Sequence, residues 1–291
     1  MTKAIIFGVN GQDGFYLRGL LEKQNIEVFG VSRNSKSWLV GNVSDFDFVE
    51  HLIKAKQPEY IFHFAANSVT THDALFENHE TISTGTFNIL ESVYRHSPHS
   101  KVFLTGSAVQ FENKGLPIDE KSPFAALNPY AVARIQSVYA ARYFRKLGLK
   151  VYVGYFFHHD SPLRTEKHIN QKIVKTVQRI AKGSREKIEI GDITVKKEFN
   201  FAGDLIEAVW LLINQDKHFE AVLGSGLAYS IEDWLAVCFG LRKLDYIDYV
   251  TVNKNYKPDF KILYSNPELI YSLGWKPKVG LEDLAELMLN N

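Results

Sequence analysis

The chain has 291 residues, 45% of them hydrophobic and 23% charged, the proportions of a soluble globular protein and not of a disordered or fibrous one. Its 34 Lys and Arg balance 33 Asp and Glu to a formal net charge of +1, which excludes the strongly basic surface of a general nucleic-acid or membrane-surface binder. The single Cys238 forms no internal disulfide, Met1 leads almost directly into an apolar run and a glycine turn with no space for a signal peptide, and no run approaches the roughly 20 apolar residues of a membrane span, so a cytoplasmic protein is expected.

Residues 4–7 read as a first strand and residues 13–23 as an amphipathic helix. Between them lies Gly8-Val9-Asn10-Gly11-Gln12-Asp13-Gly14, with glycines at every third position. That spacing has a mechanical purpose: Gly8 permits the tight turn, Gly11 lets backbone approach a pyrophosphate, and Gly14 lets helix pack on strand with the helix N-terminus facing the anion. Residues 27–31 form the next strand. An acidic residue at its end would accept hydrogen bonds from an adenosine ribose, but the chain continues Val31-Ser32-Arg33-Asn34-Ser35-Lys36. A guanidinium with small hydroxyls suits a ribose 2′-phosphate, so NADP(H) is favoured over NAD(H); the competing reading makes Arg33 and Lys36 solvated loop charges. Asn42 and Val43 are placed to border the adenine.

The alternation continues with a helix over 45–56, a strand over 60–64, a helix over 84–95 and strands over 101–105 and 150–155. This order implies βαβ units and an α/β fold, a Rossmann-type doubly wound parallel sheet. His63-Phe64-Ala65-Ala66 ends one strand, and Phe64, Ala65 and Ala66 would pass the cofactor's ribose, small side chains permitting close approach. Beyond residue 158 the pattern loosens into polar loops, a helix near 170–182 and a short strand over 187–190. The chain is accordingly divided at 1–157, mainly cofactor binding and catalysis, and 158–291, mainly a smaller C-terminal substrate-binding part interleaved with elements returning to the sheet.

Ser107 stands just past the strand 101–105, and Tyr130 follows in Asn128-Pro129-Tyr130-Ala131-Val132-Ala133-Arg134. A helix starting at Pro129 sets Tyr130 and Arg134 on one face, one turn apart. In that arrangement a serine orients a substrate oxygen, a tyrosine gives or takes its proton, and the cation favours the phenolate. Tyr130 as a core aromatic beside a surface Arg134 is the plainer alternative.

Together these residues resemble the extended short-chain dehydrogenase/reductases, nearest the GDP-mannose 4,6-dehydratases, over almost the whole chain. The glycine turn with its Gln12-Asp13 pair is similar to that family's, as are Phe156-Phe157-His158-His159-Asp160-Ser161-Pro162-Leu163-Arg164, Lys172-Ile173, Lys196-Lys197-Glu198-Phe199, residues 204–210 and Leu273-Gly274-Trp275-Lys276-Pro277. The resemblance implies that Asn10, Gln12, Asp13 and Phe157 attend the cofactor, and that Val109, His158, His159, Arg164, Lys172, Lys197 and Lys257 lie toward a nucleotide sugar, GDP-linked by preference. It also implies a homodimer through residues 84–95 and 131–147.

Three departures from the family change the expected chemistry. Val109 stands where the dehydratases carry an acid/base glutamate, Arg134 where they carry lysine, and His158 where they carry asparagine. Without that glutamate the remaining set is a reductase's, and the expected activity is NADPH-dependent reduction of a GDP-4-keto-6-deoxy sugar at C4. A 4,6-dehydratase, a 4-epimerase and a non-catalytic cofactor-binding homologue remain as alternatives. Adjacent His158 and His159 point to different faces of an extended segment and no ligand cluster surrounds them, so no metal is expected.

Overall fold

A computed structural model describes residues 1–34, 37–253 and 255–291; the Lys36 expectation falls outside them. The first elements are β1 (Lys3–Phe7), α1 (Gln12–Lys23), β2 (Glu27–Ser32), β3 (Leu39–Val40), α2 (Phe46–Lys56) and β4 (Tyr60–His63). A helical run then joins α3 (Leu75–Asn78), a π-helical segment His79–Thr84 and α4 (Gly85–His96). It is followed by β5 (Lys101–Ser107), α5 (Pro129–Lys146), β6 (Lys150–Phe156), β7 (His159–Asp160), α6 (Ile169–Ala181), β8 (Ile188–Ile190), β9 (Lys196–Glu198) and β10 (Asn200–Phe201). The chain closes with α7 (Ala202–Ile213), β11 (Glu220–Leu223), β12 (Ala228–Ser230), α8 (Ile231–Gly240), β13 (Val250–Val252), β14 (Ile262–Leu263), α9 (Glu268–Ser272) and α10 (Leu281–Leu289).

The main sheet has seven strands, all parallel, in the order β3-β2-β1-β4-β5-β6-β11. Its strands read as continuous apolar runs because both faces are covered. Alternation still sorts the side chains: Ile5 and Phe7 of β1, Ile61 of β4 and Val102 and Leu104 of β5 enter one core with α2, α4 and α5. Ala4, Ile6, Phe62 and Phe103 enter the opposite core with α1, α7 and α9. A third apolar cluster gathers α6, α8 and α10 around Trp234, Phe239 and Met288, all fully buried. Cys238 lies inside it, as a small core residue.

Expected and observed elements differ mainly at their ends. The strand expected over 60–64 stops at His63, although the Phe64 amide still bonds the Phe7 carbonyl at 2.9 Å. The helix expected from residue 84 is preceded by two further turns, whose His, Asn and Thr residues hide the periodicity. Buried Thr81, Ile82 and Ser83 place that π segment against α5, where the Ser137 hydroxyl donates to the Ile82 carbonyl at 3.2 Å.

Glu220 fixes the edge strand β11 to α5 and β6. It accepts paired hydrogen bonds from Arg142 at 2.9 and 2.7 Å, one from the Tyr155 hydroxyl at 2.6 Å, and one from Arg145. Burial pushes this carboxyl up, but the bonds from Arg142, Tyr155 and Arg145 outweigh it and hold it at about 2. A depressed carboxylate contributes stability that is present above its unfolded pKa and lost as pH falls toward the folded one. Acid titration of unfolding should therefore show a stability loss below about pH 4.5 that continues toward pH 2 and is smaller in Glu220→Gln, which removes this carboxyl's share. At neutral pH the same substitution should cost about 2 kcal/mol by urea unfolding, below the buried-pair range because Arg142 is partly exposed.

Candidate active site

β1 has β2 on one side and β4 on the other, so the connections leaving their carboxyl ends part and open a crevice, the usual ligand position in such sheets. The glycine turn borders it. Gly8 adopts φ +91°, and a Cβ there would lie 2.6 Å from the Ala65 nitrogen; at Gly14 it would lie 2.4 Å from the Gly8 oxygen. The two glycines thus let the turn sit against the end of β4 and against α1. No side chain caps the start of α1 at Gly11, leaving its first amides free for an anion. Asn10 braces the turn by donating to the Ser32 hydroxyl at 2.9 Å and the Asn34 carbonyl at 3.2 Å.

Two adjoining cavities share Gly11, Phe64 and Ala66. One, of about 320 Å³, is lined by Gly8, Asn10, Arg33, Asn42, Val43 and Ala65 among others. The other, of about 410 Å³, is lined by Gln12, Asp13, Ser107, Val109, Tyr130, Arg134, Phe157, His158, His159, Arg164 and Lys197 among others. Gly14 packs beneath the turn, outside both walls. Lys172 and Lys257 lie outside them too: Lys172 is exposed on α6 with its Nζ 3.4 Å from the Glu189 carbonyl, and Lys257 is exposed on the loop after β13. At the cavity rim, Arg33 pairs with Glu77 at 3.2 Å, and Glu77 also accepts from Asn67 at 2.7 Å.

Asn128 caps α5 by accepting from the Ala131 amide at 2.8 Å, with Pro129 in the first turn, so the helix begins where Tyr130 can reach the cavity. Arg134 is buried with its guanidinium 5.0 Å from the centre of the Tyr130 ring. It donates to the Thr105 carbonyl at 2.7 Å and to the Thr105 hydroxyl, and no carboxylate pairs with it among the described residues. His63 behind it is driven down to about 3 by burial and then by Arg134, so it adds no second charge. Val109 packs with Ile82, Ala133 and Tyr130, giving an apolar wall where the family resemblance puts glutamate.

Another part of the lining is polar. Asp160 is fully buried and accepts from His158 Nε2 at 2.8 Å and Asn170 Nδ2 at 2.6 Å, with Arg164 Nε at 3.5 Å. Burial would push this carboxyl up, but His158, Arg164 and Lys197 hold it well below the usual carboxylate range. His159 turns the other way, between the Phe157 carbonyl at 2.8 Å and Asp13 at 3.0 Å, tying the glycine turn to this segment. Lys197 is nine-tenths buried, lies 5.4 Å from the Phe199 ring centre and makes no hydrogen bond or ion pair among the described residues. Burial drives its ammonium down to about 8, opposed by Asp160 and assisted by Arg164. Among the described residues no group of three or more His, Cys, Asp or Glu could hold a metal ion.

Sequence reasoning missed Thr105, His168 and Phe260, which also line the larger cavity. Thr105 stands two residues before Ser107 at the same strand end, a signal that could have been used. Phe260 comes from a distant loop with no local signal.

The parallel sheet, the glycine turn at its switch point and the Tyr130–Arg134 helix define an extended short-chain dehydrogenase/reductase. More narrowly, the chain belongs to the GDP-mannose 4,6 dehydratase family, whose model matches residues 5–288. It is 28% identical to GDP-mannose 4,6 dehydratase 1 of Arabidopsis thaliana over 99% of this chain and 88% of that protein. It is 26% identical to the GDP-mannose 4,6-dehydratase of Yersinia enterocolitica over 81% of this chain and 70% of that protein. The fold is shared with RMD from Pseudomonas aeruginosa complexed with NADPH, at TM-score 0.84 and 17% identity over 100% and 98% of the chains. It is shared also with UDP-glucose 4-epimerase from Thermotoga maritima with UDP-glucose, at TM-score 0.88 and 19% identity over 99% and 98%.

The unpaired Lys197 gives a pH-dependent test. Its ammonium is charged below about pH 8 and neutral above. Calorimetric affinity for GDP should weaken as pH rises from 7 to 9. Lys197→Met should bind about ten-fold or more weakly at pH 7, the scale of a hydrogen bond to a charged group, and lose that pH dependence.

Proposed function

We propose that the protein is an NADPH-dependent reductase of a nucleotide-linked 4-keto-6-deoxy sugar, GDP-linked by preference. The observation that carries this reading is the larger cavity's composition: Ser107, Tyr130 and Arg134 are present, whereas Val109 offers no carboxylate on that wall. Loss of water from a sugar needs a group to take a proton from carbon and another to give one to the departing hydroxyl; an apolar side chain does neither. Reduction of a ketone needs only one proton donor from the protein.

The crevice fits a dinucleotide. Gly8, Gly11 and the free amides of α1 would hold its pyrophosphate, Asn42, Val43 and Ala65 its adenosine, and Arg33 a 2′-phosphate by exchanging Glu77 for it. Bound there, a nicotinamide supplies a hydride to a carbonyl carbon. Ser107 donates a hydrogen bond to the carbonyl oxygen and keeps it beside Tyr130. The Tyr130 hydroxyl gives its proton to the developing alkoxide, and the adjacent Arg134 charge stabilises the phenolate that remains. Arg134 cannot exchange protons itself, so its part is electrostatic and positional. On the far wall, Arg164 and Lys197 meet the substrate diphosphate.

We infer also a cytoplasmic enzyme that forms a homodimer. Phe87 on α4 and Tyr139 and Tyr143 on α5 are about half exposed and line one groove, the helices that the family resemblance puts at the interface. Tyr139→Glu with Tyr143→Glu should shift the protein to monomer by light scattering; an unchanged mass removes this face from the interface.

The catalytic reading is tested by incubating the protein with NADPH and a GDP-4-keto-6-deoxy sugar. One NADPH should be consumed per sugar reduced, and Tyr130→Phe should lower the rate by about 10²–10⁴-fold while leaving NADPH binding intact. Turnover with no net NADPH consumption would point to an epimerase or dehydratase, and unchanged activity in Tyr130→Phe would sink the mechanism.

A further inference from the structure

The cavity that Val109 lines also holds an imidazole. His158 lines the cavity, and its Nε2 lies 2.8 Å from an oxygen of Asp160. Asp160 is fully buried and ionised, and a carboxylate only accepts hydrogen bonds. The Asn170 amide nitrogen also lies 3.0 Å from Nε2, and the ionised carboxylate that both nitrogens reach can only accept, which assigns the ring proton to Nε2. Asn170 holds the same carboxylate oxygen at 2.6 Å, and the ring stands 6.2 Å from that of Phe199, so its orientation is set from both sides. Nδ1 then carries the lone pair. It makes no hydrogen bond among the described residues, and the side chain, 26% exposed, lines the cavity. An imidazole with one nitrogen anchored by a buried carboxylate and the other free is the arrangement of a general base.

From this geometry we propose that His158, oriented by Asp160, takes a proton from a carbon next to the keto group of the bound sugar and returns it, so that the enzyme exchanges or epimerises that carbon independently of reduction. This rests on the 4-keto substrate proposed above. In the step, the C–H bond breaks, its electron pair becomes the enolate C=C while the carbonyl π pair moves onto oxygen, and the proton goes to Nδ1. The reverse flow returns a proton to the same carbon. No oxidant or reductant is consumed. Ser107 and Tyr130, on the carbonyl side, hold the enolate oxygen.

The charges that face His158 are Asp160, which favours its protonation, and Lys197 and Arg164, which oppose it. Burial, followed by Lys197, drives the imidazole down to about 4, so it is a neutral base throughout the neutral range. A diphosphate seated on Lys197 and Arg164 offsets their charge and strengthens the base when substrate is bound.

The experiment uses the whole protein in D₂O with a GDP-4-keto-6-deoxy sugar and no NADPH, against an enzyme-free control, with deuterium located at the carbons flanking the ketone by NMR and mass spectrometry. Wild type should introduce deuterium at least ten-fold faster than the control. His158→Asn, which installs the residue expected from the family resemblance, should lose this acceleration at saturating sugar, and Asp160→Asn should reduce it. Exchange should persist down to about pH 5 instead of falling with an ordinary histidine. NADPH-dependent reduction without deuterium uptake overturns the proton-transfer role and leaves the reductase reading intact. Exchange without reduction overturns the reductase reading and supports the role of His158. Exchange surviving undiminished in His158→Asn overturns the assignment to His158, as does a variant that raises only the KM for exchange.

Discussion

The divergence of chain connections at β1 is the constraint on which the rest depends. A parallel sheet whose crossovers are all right-handed must send them to opposite faces from one internal point, and here that point lies between β1 and β4. The crevice is therefore a product of topology before any side chain is considered. The glycine turn, the end of β4 and the end of β5 reach it because they follow the carboxyl ends of neighbouring strands. Ser107 and Thr105 owe their position to β5, and Tyr130 and Arg134 owe theirs to the cap of α5 at Asn128.

Charge is distributed within this crevice more tellingly than over the molecule. The chain's net charge is only +1, yet the larger cavity gathers Arg134, Arg164 and Lys197 against Asp13 and Asp160. The two carboxylates are largely consumed inside the protein, Asp13 by His159 and Asp160 by His158, Asn170 and Arg164. What remains toward the cavity is cationic: Lys197 and Arg134 both lack an acidic partner among the described residues, and Arg134 Nε makes no hydrogen bond. Burying such charges is unfavourable unless an anion completes them. A substrate diphosphate and a phosphate-bearing cofactor are groups that do so.

The core of this arrangement was legible because it is local. Apolar runs bounded by glycine, the three-residue glycine spacing and Tyr130 four residues before Arg134 are each encoded within a single element. The larger fold followed from strand–helix alternation. What the sequence concealed depends on contacts between distant segments: Phe260 reaching the cavity, Glu77 meeting Arg33, and the third core built by α6, α8 and α10. Lys172 and Lys257 illustrate the converse, since a match in motif says nothing of whether a long surface side chain turns inward. The π-helical segment before α4 was hidden for a different reason. Its buried Thr81 and Ser83 are polar, and hydrophobic periodicity does not register them.

Val109, Arg134 and His158 are best understood as one linked change. Removing a carboxylate from the wall beside Tyr130 removes a negative charge that would otherwise balance a cation nearby. An arginine, which stays ionised and spreads its charge, tolerates that loss by donating to both oxygens of Thr105 and lying over the Tyr130 ring. A lysine in the same buried place would have only a compact ammonium with fewer fixed donors, and desolvation would drive it toward the neutral form. Asparagine in place of His158 could donate to Asp160 through its amide, but it has no titratable lone pair. With histidine there, the carboxylate is held charged while the imidazole itself stays neutral, so the wall acquires a lone pair without acquiring a net charge. The cavity that Val109 lines with an apolar side chain is thus also lined by the neutral imidazole of His158.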